Sequence, residues 1–107
     1  MKKILYITSS IVLGLTLLST NLQASTVKGK IYYAQNLKVP CGYNGEIMGK
    51  KYTVNEWRII FNNNKLNETI KAICPKAPLI DSEKDLTNLY HFLSSFASDS
   101  GNVPSCN

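Results

Sequence analysis

No two of the three cysteines in this 107-residue chain stand two residues apart, and its single histidine, His91, has no second one to pair with. The short Cys-x-x-Cys and His-x-x-x-His spacings that make a zinc motif convincing are therefore missing. A set of Cys41, Cys74, His91 and Cys106 would have to be gathered across most of the chain, so no metal site is expected. His91, between Tyr90 and Phe92, reads as a boundary residue of a helix rather than a ligand. A nucleophile beside a base, a phosphate loop and a paired carboxylate site are also lacking, so no catalytic residue is assigned and no enzymatic activity is expected. There is no internal repeat, no low-complexity tract and no stretch with strand periodicity. Dense charge of one sign is lacking too. The basic excess is mild and spread along the chain, which argues against a nucleic-acid partner and allows only some preference for acidic ones.

What the chain does have begins with a leader. Residues 1–24 read as a secretory signal peptide, with two lysines, an apolar run from Ile4 to about Leu18 and polar residues ending at Ala24. Cleavage after Ala24 is the expected processing, although Leu22 is large for a position that usually holds a small residue. The rival reading is a retained membrane anchor, against which the apolar run falls short of the roughly 20 residues that span a bilayer. No cysteine follows the run at a lipidation position. The expected product is exported and periplasmic, with no stable membrane anchor after cleavage. Its 83 residues carry a net charge of +3, the chain's +5 less Lys2 and Lys3. That length suffices for one small core, of a size that often needs a disulfide, metal or cofactor as a supplement.

Along the remainder, Val27, Ile31 and Ala34, with Tyr33 as a further candidate, recur at helical spacing and predict a first helix over about 27–36, closed by Pro40. Gly29 inside it costs about 1 kcal/mol against alanine and needs a reason such as close helix contact. The segment from Pro40 to Lys51 contains Gly42, Gly45 and Gly49, lacks a period and reads as a wrapping loop. Thr53 and Glu56 form a capping box ahead of Val54, Trp57, Ile60 and Phe61, predicting a second helix over 54–62 that stops at Asn62, Asn63 and Asn64. Leu66, Ile70 and Ile73 mark a third helix, ended by Pro75. Ser82 caps a fourth, whose apolar face is Leu86, Leu89, Phe92, Leu93 and Phe96. The fold class is all-α, about four helices with long loops, in a domain over 25–98 followed by an irregular tail over 99–107. Met48, Trp57, Tyr32, Tyr33, Tyr43 and Tyr52 could line a cofactor pocket, but core packing is the commoner use of such residues, with Trp57 central and its ring nitrogen in need of a partner. Asn67-Glu68-Thr69 fits the minimal glycosylation pattern and is taken as chance. Three cysteines allow three single bridges, and an oxidising compartment favours one of them.

The stretch Gly29 to Gly45, GKIYYAQNLKVPCGYNG, resembles the opening of a small class I cytochrome c. That family begins Gly-Lys-x-x-Tyr, passes through Cys-x-x-Cys-His and leaves by Gly-x-x-Gly. Gly29, Lys30, Tyr33, Gly42 and Gly45 match, whereas the two thioether cysteines fall on Leu37 and Pro40 and the axial histidine falls on Cys41. The helix order follows the same frame up to about Phe96. In the family, a glycine and an aromatic on the first helix pack across the last helix, which implies that Gly29 and Tyr33 face Leu89 and Phe92. The family's methionine ligand, commonly followed by proline, corresponds to Cys74 in Ile73-Cys74-Pro75. The resemblance thus sets Cys41 and Cys74 at the two lost axial-ligand positions, facing one central space.

Two functions follow from that resemblance as expectations, and a third, of another class, from the cysteines themselves. The first is a domain without haem or other cofactor, closed by a Cys41 to Cys74 disulfide worth roughly 3.5 to 4 kcal/mol and binding a periplasmic redox or envelope protein. The second is an electron carrier that keeps haem non-covalently or with atypical ligands. The third is a thiol redox protein, against which the pair lacks Cys-x-x-Cys proximity. Cys106 is left as a spare thiol near the terminus, and bridges that involve it stay open.

Overall fold

The computed structural model describes residues 24–102. The predicted leader, apart from Ala24, and Cys106 lie outside the described residues. Every regular element among the described residues is helical. Helix α1 covers 24–36, α2 Lys38–Cys41, α3 Gly45–Gly49, α4 Val54–Asn62, α5 Leu66–Ile73 and α6 Glu83–Ser95. Helix α4 has the predicted bounds of 54–62, α5 spans the predicted Leu66, Ile70 and Ile73, and α6 begins after the predicted Ser82 cap and ends one residue before Phe96.

Local chemistry explains where these helices start. Thr53 Oγ1 accepts the Glu56 N–H at 3.1 Å while Glu56 Oε1 accepts the Thr53 N–H at 2.9 Å, the reciprocal box that satisfies two donors at the start of α4. A third donor there, the Val54 N–H, reaches the Asp99 carboxylate at 2.8 Å. The first residues of the predicted tail are thereby tied to the domain, and the Ser98 N–H to Tyr52 O bond of 3.0 Å adds to the tie. Ser82 Oγ accepts the Asp85 N–H at the start of α6. Between α4 and α5 the chain turns at Asn64, whose φ of 57° is one that asparagine tolerates better than most residues.

One sequence expectation requires correction. The segment from Pro40 to Lys51 is not a plain wrapping loop, because it holds all of α3 and the end of α2. Pro40 sits in the first turn of α2, where its missing N–H has no intrahelical acceptor to lose, so it does not close the helical path. Gly42 closes it, with φ 83° and its N–H on Lys38 O. Helix α3 is five residues long, too short to show a period, and is held by burial of Met48 and contact with α6.

The packed face of α1 is distinct from the stripe of aliphatic positions along it. Val27, Ile31 and Ala34, the apolar positions that predict the helix, point to solvent, with Val27 58% and Ile31 50% exposed. The packed face carries Gly29 and Tyr33, continued by Leu37 one turn on. Close approach to α6 outweighs the hydrophobic gain of burying two aliphatic side chains, because Gly29 is the position that admits the neighbouring backbone.

Helix α6 is the hub against which α3, α4 and α5 pack. Its Leu89, Phe92 and Leu93 are buried with Tyr33, Leu37, Met48, Trp57, Leu66, Ile70 and Ile80 in one core. Trp57 is wholly buried and its Nε1–H donates to Gly49 O at 2.8 Å, which joins α4 to α3. Tyr52 meets the Trp57 ring edge-on at 5.1 Å between centroids.

Candidate functional site: the bridged centre of the domain

Cys41 ends α2, just before the left-handed turn at Gly42, and Cys74 stands immediately after α5, its N–H bonded to Ile70 O at 2.8 Å. Pro75 prevents α5 from continuing and turns the chain away. These two helix ends bring the cysteines together as a disulfide with a Cα–Cα separation of 5.6 Å, inside the range that bridged pairs occupy. Cys74 is buried and Cys41 is half-buried. The loop they close contains α3, α4 and α5, while α1 and α6 lie outside it.

Around the bridge the space is filled with side chains. Leu37, one of the two residues the resemblance sets at thioether positions, is completely buried one turn before Cys41, whose N–H donates to Leu37 O at 2.9 Å. Pro40, the other, is half-buried in α2. Neither can form a thioether bond. Two thiolates ligating one iron from opposite sides stand about 4.6 Å apart, twice a metal–thiolate bond of roughly 2.3 Å. Sulfurs bonded to each other cannot do so and offer no thiolate charge to a metal. The residues at these positions do not fit a covalently attached, cysteine-ligated haem.

The helix crossing behind the bridge is close. A Cβ on Gly29 would collide with the backbone carbonyl of Asn88 and would lie 2.8 Å from Phe92 Cβ. Tyr33 meets Phe92 with ring centroids 6.2 Å apart, and Leu89 is fully buried in the same core. Gly29, Tyr33 and Phe92 are thus brought together at this crossing, with Asn88 as the closest neighbour of Gly29. Two further glycines share the arrangement without having been singled out for it. A Cβ on Gly45 would strike the Phe92 ring and one on Gly49 would stand 2.5 Å from Leu93 O. Their spacing of four residues was the available signal, but without a recognised helix it had no face to belong to.

Tyr33 donates its hydroxyl to Tyr43 O at 2.9 Å from a buried position. Burial, followed by the nearby Tyr43 and Glu46, pushes its ionisation well above the ordinary value of 10.0. The folded state therefore holds a proton that the unfolded chain releases near pH 10. Stability from this group is fully present below that pH and is lost as pH rises above it. In alkaline titrations followed by circular dichroism, the wild type should lose stability above about pH 10 more steeply than Tyr33→Phe, by at most about 1.4 kcal/mol per pH unit. Equal slopes would remove Tyr33 from the account.

Asn67, taken above as a chance glycosylation match, has a structural use. Its side chain donates to Ile80 O at 2.8 Å and accepts the Ile80 N–H at 2.9 Å, which pins the loop after Cys74 to α5. Lys71 Nζ donates to Ala77 O in the same loop at 2.9 Å. His91 is half-buried beside Tyr90, as a boundary residue would be. Among the described residues no group of three or more His, Cys, Asp or Glu side chains could hold a metal ion. No helix among them is long and apolar enough to cross a membrane.

Comparison with family models, with curated proteins and with solved structures finds no match to this chain.

Proposed function

We propose that this chain is an exported, non-enzymatic relative of class I cytochromes c that has exchanged covalent haem for a disulfide and serves as a compact partner-binding domain in the periplasm. The observation that carries the reading is the Cys41–Cys74 bridge, which joins the two positions the resemblance assigns to the lost axial ligands. Chance pairing of any two cysteines explains a bridge but not its coincidence with those positions. Support of a different kind comes from the crossing, where Gly29 abuts Asn88 and Phe92 while Tyr33 covers the Phe92 ring. A domain that held a large planar cofactor needs its centre refilled once that cofactor is gone, since unfilled space forfeits packing on every wall. Buried Leu37, Met48, Trp57 and Ile70 supply that filling.

The partner in this reading is a redox or other envelope protein, and the role is recognition rather than chemistry. Protein produced together with the machinery that attaches haem to cytochromes should show no covalent haem by in-gel haem staining and no Soret band. A Soret band that survives denaturation would overturn the proposal in favour of an electron carrier. A band that appears with free haem at micromolar concentration would favour non-covalent haem.

A further inference from the structure

We propose that the outward face of α1 adsorbs reversibly to an anionic lipid surface. Val27, Ile31 and Ala34 stand at i, i+4 and i+7 on this helix, all exposed, so they form an apolar stripe about 10 Å long on the solvent side. The same helix carries Lys28 and Lys30, and Lys38 follows two residues after its end; all three are exposed. No carboxylate occurs in the first 45 residues, Glu46 being the first. The acids nearest this helix come from elsewhere: Glu46 lines a shallow pocket together with Lys30, Ala34 and Lys38, and Asp81 and Asp85 act on Tyr32 at the border toward α6, where Lys84 stands beside Asp85 in a second shallow groove. An apolar stripe bordered by cations on a helix surface is the pattern of an interfacial helix, which buries the stripe at the headgroup boundary while the lysines meet anionic lipid.

Two observations favour a bilayer over other occupants. A second copy of the chain would set Lys28, Lys30 and Lys38 against their own equivalents, and like charges repel. Residues 4–27 carry no charge, and the apolar run ending near Leu18 lies six residues before α1, a span of at most about 20 Å. In a chain that keeps its leader, α1 is then held within about that distance of the membrane surface. The proposal stands whether or not the domain binds haem.

The test uses the protein in the processed form recovered from cells that export it. It is sedimented with vesicles of phosphatidylcholine alone and with vesicles containing about 30% phosphatidylglycerol. Binding is expected to the anionic vesicles only, and to weaken as salt is raised. Lys28→Gln/Lys30→Gln/Lys38→Gln should weaken it by about fivefold per lysine, on the order of a hundredfold together. Val27→Ser/Ile31→Ser should weaken it on the order of tenfold through the lost apolar contact. Both variants change exposed side chains and should melt at the wild-type temperature, so a loss of binding is not a loss of fold. Equal binding to both vesicle types, or binding that the lysine variant leaves intact, would overturn the proposal. No binding to either would also overturn it, and would leave an acidic protein as the occupant of this face.

Discussion

The Cys41→Ala/Cys74→Ala protein is expected to melt about 15 to 30 °C below the wild type. The bridge closes a loop of 34 residues, counted from a sequence separation of 33, and a loop of that length costs the unfolded chain conformational freedom equivalent to about 3.8 kcal/mol. A domain of this size has on the order of 4 to 12 kcal/mol of stability in all, so the loss removes a large share. Small domains shift their melting temperature by about 4 to 8 °C per kcal/mol, which sets the range. Alanine is preferred to serine because Cys74 is buried, where a hydroxyl without a partner adds its own cost. Reduction of the unaltered protein is an independent check, since it breaks the bond without removing a side chain. Differential scanning calorimetry of both should agree. A fall of less than about 5 °C in each would show that the bridge is incidental to the fold, and would take away the main support for the functional reading.

Gly29→Ala should destabilise the domain by about 2 kcal/mol, although helix propensity alone predicts the opposite sign. In an exposed helix the same change is worth up to about 1 kcal/mol in favour of alanine. Here the new methyl group meets the Asn88 backbone carbonyl, which cannot rotate away as a side-chain end could. Relief requires α1 to move off α6, which loosens the Tyr33–Phe92 contact and the fit of Gly45 against Phe92. Overpacking of this kind typically costs 1 to 3 kcal/mol, and a β-branched side chain carries more atoms into the same place. Gly29→Val should therefore cost more than Gly29→Ala, on the order of 4 kcal/mol. Urea denaturation of the three proteins decides the matter. An alanine variant as stable as the wild type would mean that the two helices cross with room to spare. Because Gly29 lies outside the disulfide loop, the crossing depends on packing alone and its loss adds to that of the bridge.

Legibility in the sequence followed the range of the forces involved. The capping box at Thr53 and Glu56, the Ser82 cap and the long periodic face of α6 act within a few residues, and each could be read with its bounds. Helix α3 could not, because five residues with a glycine at either end have no intrinsic preference for helix and owe their shape to α6. The outward turn of Val27 and Ile31 was hidden for a related reason. Periodicity reports that a helix has an apolar stripe but not which neighbour comes to it, and at α1 a glycine drew the neighbour instead. Asp99 at the start of α4 and Asn67 on the Ile80 backbone were equally out of reach, since each pairs with a group 45 or 13 residues away.

The residues alone thus establish an all-α chain, the starts of its longer helices, and the fact that three cysteines and one histidine lack any short-range ligand spacing. Those properties depend on neighbours within a turn or two. Which cysteines meet, which face of α1 is inside and where three glycines let α6 approach are long-range outcomes of packing. They arise because a small core has one arrangement that places Cys41 5.6 Å from Cys74 while Gly29 yields its side-chain space to Asn88.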